Sequence, residues 1–349
     1  MSHMTYLEAS VVGLIQGVTE LFPVSSLGHN VLIPALIGGS WASDLNVAAP
    51  ESPYLAFIVG LHVATAIALL IYFWRDWVRI IGGFFSSIRD REIATVDQKM
   101  AWIIILATVP VGLVGVAFEH EFRVLFGKPI RAAIFLLING LILYAGERFR
   151  TKKSLAADAE LAAESEPASA QAVVADAVMA DSVAADTRPA HGAGRAGVAA
   201  HASGQRAVRQ QEASRAVQAD RRLATIGNWQ ALIIGSAQIL ALLAGISRDG
   251  VVMVTGMFRG LSRQDAARFS FLLATPVILA AGVLKVPDLT GPLGNGIHGQ
   301  VLVGSILSGV GAYVSVRYLM KYFQTRTLTP FAIYCVVFGL GSIIYLSVK

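Results

Sequence analysis

The sequence of 349 residues holds a single cysteine, Cys335, set in an apolar run. No intrachain disulfide can form, and thiol chemistry is not expected. Charge is scarce too: Asp, Glu, Lys and Arg make up 15% of the chain against 55% hydrophobic residues, with a mean hydropathy of +0.61. So little charge over this length excludes an ordinary soluble domain and points to a polytopic membrane protein. Lys and Arg are missing ahead of the first apolar run, which itself carries Gln16 and Glu20, so that run is not expected to act as a signal peptide. Aromatic residues are missing from 151–224, a stretch rich in Ala, Ser, Asp, Glu, Arg and Gln. It has too little apolar surface to offset its ordering entropy, so 151–225 reads as a disordered or loosely helical linker. The net charge of +5 is read as basic loops on one membrane face, with no nucleic-acid partner.

What is present divides the chain into two apolar halves, 1–150 and 226–349. Runs long enough to cross a bilayer fall at about 54–74, 100–118 and 130–147, and again at about 266–285, 299–320 and 330–347. Each half opens on an interrupted segment. The first contains Gln16 and Glu20 on one helical face, Gly13 and Gly17 for close backbone approach, and a break at Pro23. A second helix then starts, with Ser25 a good N-cap and Ser26 and His29 in its first turn. The second interrupted segment repeats Gly235, Gln238, Ser247 and Gly250 at one constant offset from Gly13, Gln16, Ser25 and Gly28.

Neither interrupted segment is long enough on either side of its break to span, so each is expected to enter and leave by one face, packed inside protein. Three spans per half then invert the second half relative to the first. The expected fold is all-α, two inverted repeats, each a re-entrant helix pair plus three transmembrane helices. Lys and Arg collect at 75–99, the linker, Arg259, Arg263, Lys321 and Arg326, which puts that side in the cytoplasm. The N-terminus and the loops 41–53, 119–129 and 286–298 fall outside.

If the two breaks meet, Gln16, Glu20, Ser25, Ser26 and His29 join Ser247, Arg248 and Asp249. An ionisable Glu20 at membrane depth is a functional residue by default. The Arg248 fork suits two phosphate oxygens, and two helix N-termini add backbone N–H groups for an anion. His29 is an acid/base candidate, Ser26 the better-placed nucleophile, and Ser25 either a cap alone or a ligand as well. A carboxylate beside an anion site suggests a bridging divalent cation, with Mg²⁺ suited. Depth in the membrane suggests that a lipid carries the phosphate.

The segment Glu20-Leu21-Phe22-Pro23-Val24-Ser25-Ser26-Leu27-Gly28-His29, preceded by Gln16, resembles the first signature of the undecaprenyl-diphosphate phosphatase family. Phe269 to Pro276 resembles that family's Phe-Ser-Phe-Leu-Leu-Ala-x-Pro, and Ala244 to Gly250 resembles a degraded form of its second signature. The resemblance implies a bacterial inner-membrane hydrolase that converts a polyprenyl diphosphate to the monophosphate cell-wall carrier with a divalent cation (Mg²⁺, or Ca²⁺). By position, Gln16 and Glu20 would lie near the metal, and Glu20, Ser26 and His29 would be catalytic. Ser25, Ser247, Arg248 and Asp249 would hold the diphosphate. A homodimer is an open expectation. The chain departs from the family pattern at Leu27, Ala244, Asp249 and Val252; Asp249 could be a metal ligand, orient Arg248 or signal another substrate. A polyprenyl-phosphate carrier of the same fold is the alternative. The membrane phosphatases with Ser-Arg-x5-His-x3-Asp are excluded, because Val254 stands where their histidine should be.

Overall fold

A computed structural model describes residues 4–47, 53–126, 128–163, 214–291 and 296–348. Among them the chain is helical, with no strand. Helix α1 (Tyr6–Thr19) starts with a capping box in which the Thr5 hydroxyl accepts from Glu8 N–H and the Glu8 carboxylate accepts from Thr5 N–H at 2.7 Å. It stops four residues short of Pro23. Helix α2 (Ser26–Ile37) carries Pro34 inside it, which removes the bond to the Asn30 carbonyl. The Tyr54 hydroxyl donates to that carbonyl instead, at 3.2 Å.

The short α3 (Gly39–Asp44) reaches into the segment 41–53 expected to be a loop. Then come α4 (Pro53–Tyr72), α5 (Trp74–Asp90), α6 (Val96–Phe126) and α7 (Pro129–Arg148). Helices α8 (152–163) and α9 (214–223) are the described ends of the linker; residues 164–213 lie outside the described residues. The second half continues with α10 (Asn228–Ser236), a 3₁₀ turn (Ala237–Leu242), α11 (Arg248–Phe258), α12 (Arg263–Thr290), α13 (His298–Tyr322) and α14 (Thr329–Val348).

Six of these helices are long and apolar enough to cross a membrane: Pro53–Tyr72, Val96–Phe118, Pro129–Arg148, Arg263–Leu284, His298–Tyr322 and Thr329–Val348. They coincide with the six apolar runs read from the sequence. One boundary differs. Residues 119–126, expected to lie in a loop, continue α6 beyond a kink at Phe118.

The apolar surface points both ways, as a chain surrounded by lipid requires. Leu61, Phe57 and Leu69 are wholly buried, whereas Leu113, Val116, Val310, Val314, Val337 and Ile344 are exposed along their spans. Helix α5 is amphipathic: Trp74, Val78, Ile81, Phe85 and Ile88 form an exposed apolar stripe at helical spacing. Small residues set the close contacts. A Cβ on Gly17 would meet the Ser308 Cα at 2.9 Å, and one on Gly13 the Gly304 Cα at 2.8 Å, so α1 lies backbone-to-backbone against α13.

Ion pairs fasten the linker ends to the bundle. Buried Asp220 of α9 joins Arg268 of α12 at 2.8 Å and Arg79 of α5 at 2.5 Å. Arg79 also reaches Asp97 at 3.0 Å, and Arg222 pairs with Asp265 at 2.8 Å. Asp158 of α8 receives Arg150 and Arg263, both at 2.8 Å.

Candidate active site

The two interrupted segments meet. Glu20 follows the last turn of α1, and Arg248 opens α11 in the other half of the chain. Arg248 Nη2 donates to Glu20 Oε1 at 3.2 Å. Nη1 of the same guanidinium lies 3.4 Å from Asp249 Oδ1, so one cation sits between two carboxylates. Glu20 Oε2 collects the other donors. Gln16 Nε2 reaches it at 3.0 Å from one turn back on α1, as the four-residue spacing requires. The Ser26 hydroxyl donates to it from the first turn of α2. His62 Nε2, from the middle of α4, stands 3.3 Å away.

The backbone tips are locked to one another. Ser25 has φ 67°, a region strained for a residue with a Cβ, and its Oγ accepts from Gly28 N–H of its own helix and Gly245 N–H of the other tip, both at 3.2 Å. Ser247 caps α11 in the same manner, accepting from Gly250 N–H at 3.2 Å. Asn139 of α7, fully buried, bridges the two breaks: Nδ2 donates to the Pro23 carbonyl at 3.0 Å, and Oδ1 accepts from Ser247 N–H at 2.9 Å. Gly245 has φ 113°, and a Cβ there would meet Leu136 N at 2.7 Å, so this break needs glycine twice over.

His29 lies elsewhere than beside the Ser26 hydroxyl. Its ring stacks against Tyr334 and Phe338 of α14, with centroids 5.7 and 5.3 Å apart. Nδ1 lies 2.7 Å from the Ser25 carbonyl and Nε2 lies 2.7 Å from the Tyr334 hydroxyl. A carbonyl only accepts, so Nδ1 carries the hydrogen and Nε2 takes the tyrosine's. The ring thereby holds the strained Ser25 turn.

Gln16 accepts from Asn30 Nδ2 at 2.6 Å through its carbonyl oxygen and donates its amide to Glu20. Among the described residues no three His, Cys, Asp or Glu side chains are grouped to hold a metal. Asp249 differs. It is fully buried, Oδ1 accepts from the Ser270 hydroxyl at 2.8 Å, and Oδ2 has no hydrogen-bond partner. Glu20 and Asp249 thus offer carboxylate oxygens on either side of one guanidinium, the donor type that a divalent cation takes together with phosphate oxygens.

Sequence reasoning passed over His62, Asn30 and Asn139. His62 had a usable signal, as an ionisable side chain in the middle of a twenty-residue apolar span. The two asparagines are single amides in apolar helices, and only their partners reveal them.

A family model described as bacitracin resistance protein BacA matches residues 9–179 and 195–341. The undecaprenyl-diphosphatase of Mycolicibacterium paratuberculosis is 56% identical over 348 residues, covering 100% of this chain and 99% of that protein. Undecaprenyl-diphosphatase 2 of Frankia alni is 53% identical over 344 residues, covering 97% of each chain. The undecaprenyl-diphosphatase of Acidiphilium cryptum is 36% identical over 346 residues, with 98% of each covered. Matched over nearly its whole length by that model and by these relatives, the chain belongs to the bacitracin resistance protein BacA family.

Proposed function

We propose that this protein is an integral-membrane hydrolase that converts undecaprenyl diphosphate to undecaprenyl phosphate and inorganic phosphate, recycling the cell-wall lipid carrier. The observation that carries the reading is the line Ser26–Glu20–Arg248, in which a hydroxyl, a base and a phosphate-binding fork come together from opposite halves of the chain. The names of the full-length relatives support the substrate.

Arg248 turns its fork from Glu20 to the diphosphate, where two parallel N–H groups match two phosphate oxygens. The N-termini of α2 and α11 add backbone N–H groups. The Ser25 and Ser247 oxygens accept from the backbone, and neither hydroxyl hydrogen has an acceptor among the described residues, so both are left for phosphate oxygens. Glu20 takes the Ser26 proton as Oγ attacks the terminal phosphorus. The bond to the bridging oxygen breaks, and undecaprenyl phosphate leaves with that electron pair and with the proton held by Glu20. Glu20, a carboxylate again, takes a proton from water as the water attacks phosphoserine, and returns it to Ser26 as phosphate leaves. A divalent cation held by Glu20 would supply charge neutralisation of the diphosphate. His29 supports this machinery by holding Ser25.

The pairing of helices supports an inverted-repeat plan: α1 lies on α13 and α10 on α6, the second span of the opposite half in both cases. The charge distribution supports a cytoplasmic segment 151–225 and an N-terminus and site outside. A tag at residue 180 that reacts only from outside would overturn that orientation.

The test is phosphate release from a polyprenyl diphosphate by the purified protein with Mg²⁺, with and without chelator. Glu20→Gln should lower kcat by about 10²–10⁴-fold, the range for loss of a general base. Arg248→Ala should lose still more of kcat/KM. Undiminished release by both variants rejects the site. Lipid movement between leaflets with no phosphate released would select a carrier, a reading that none of the relatives' names favours.

A further inference from the structure

We propose that Asp249 is the second carboxylate ligand of a divalent cation that enters with the substrate's diphosphate and takes over, with Glu20, the place Arg248 fills at rest. The inference rests on the hydrolase reading above and assigns a residue and an order of binding that reading leaves open.

Three observations carry it. Asp249 Oδ2 is a fully buried anionic oxygen without a partner, and Arg248 Nη1, the nearest cation, has no well-formed hydrogen bond either. A buried polar atom left unpaired is costly, so this pair of vacant valences marks a place for a further partner. Second, Oδ1 is fixed by the Ser270 hydroxyl at 2.8 Å, which orients the carboxylate from α12 and keeps Oδ2 directed. Third, Glu20 and Asp249 share one guanidinium, through Nη2 at 3.2 Å and Nη1 at 3.4 Å.

When the diphosphate draws Arg248 onto its oxygens, both carboxylates lose that shared counter-charge in a water-poor site. A divalent cation restores it. On α1 the position one turn before Glu20 is a carboxamide, Gln16, with both ends engaged, so the second acidic ligand has to come from α11. His62 Nε2 already faces Glu20 Oε2, and no three acidic, cysteine or histidine side chains are grouped to hold a metal among the described residues, so phosphate oxygens and water complete the shell. The ion alone should bind weakly, and the ion with the diphosphate strongly.

The experiment measures free Mn²⁺ by electron paramagnetic resonance, with the full-length protein in nanodiscs and a polyprenyl methylene-bisphosphonate as the uncleaved probe. The expected result is Mn²⁺ affinity that rises at least tenfold when the bisphosphonate is present. Asp249→Asn should still bind the bisphosphonate through Arg248 but lose the enhancement. Ser270→Ala, which keeps the carboxylate but releases it, should weaken Mn²⁺ by about 10–100-fold, as removal of an orienting partner does. Enhancement retained in Asp249→Asn overturns the assignment and leaves Oδ2 to a water or a proton. Equal Mn²⁺ binding with and without bisphosphonate overturns the order. An Asp249→Asn protein that fails to fold binds no bisphosphonate, and Ser270→Ala then decides: unchanged Mn²⁺ affinity overturns the proposal. Absent phosphate release by the unaltered protein would instead sink the hydrolase reading itself.

Discussion

Replacing Asn139 by leucine tests whether the two breaks are held together by one amide. The side chain satisfies the Pro23 carbonyl at 3.0 Å and Ser247 N–H at 2.9 Å, both buried. Leucine matches its branching and its number of side-chain heavy atoms, is bulkier, and offers neither bond. Each backbone group left unpaired costs about 1–3 kcal/mol, so the joint loses roughly 2–6 kcal/mol. Glu20 lies three residues before Pro23 and Arg248 one after Ser247, so any parting of the tips separates base from fork. A displacement near 1 Å is worth about 10² in rate, and kcat/KM should fall at least that far. Alanine should be milder, because the space it opens admits a water that bonds both groups at a cost of about 0–2 kcal/mol. A pure packing account ranks the two the other way, since alanine leaves the larger cavity. The assay is phosphate release by each variant in detergent together with its thermal unfolding midpoint. Leucine outperforming alanine, or staying within threefold of the unaltered protein, would refute the bridge.

His62 stays beside the Glu20 carboxylate while Arg248 turns to substrate; His62→Leu should lower kcat by about 10–100-fold, the worth of a hydrogen bond to a charged group. His62→Gln, which restores a donor, should recover most of that loss with KM little changed in either variant. Equal activity of the two variants would show that the contact at 3.3 Å is idle. Asp220→Ala takes from the buried Arg268 its nearest partner while Asp76 stays at 3.1 Å, and should destabilise the protein by about 1–3 kcal/mol. Its unfolding midpoint by intrinsic fluorescence reads this directly, and an unchanged midpoint would mean that α9 does not brace α12.

Features set by nearest neighbours along the chain were legible beforehand. Pro23 announces the first break, Gly13 and Gly17 announce a close helix, and six apolar runs announce the spans, because each depends on local backbone chemistry. The meeting of Glu20 and Arg248 was legible at one remove, through the matching order of two interrupted segments. The roles of Asn139 and His29 escaped because they are set by partners more than a hundred residues away. Asn139 reads as one amide in an apolar helix until Pro23 and Ser247 are beside it. His29 follows Ser26 by three residues and was expected to serve it, yet the turn of α2 sends the ring to Tyr334 of α14. Its other tie, equally short, is to Ser25, four residues back, through a carbonyl rather than a hydroxyl.

The lone thiol has a use of its own. Cys335 is wholly enclosed, and its Sγ lies 3.4 Å from the same amide nitrogen of Asn139 that grips Pro23. No other thiol in the sequence competes with it. A maleimide can reach it only while the clasp stands open, so the unaltered chain comes with its own stopwatch for how often the two halves let go.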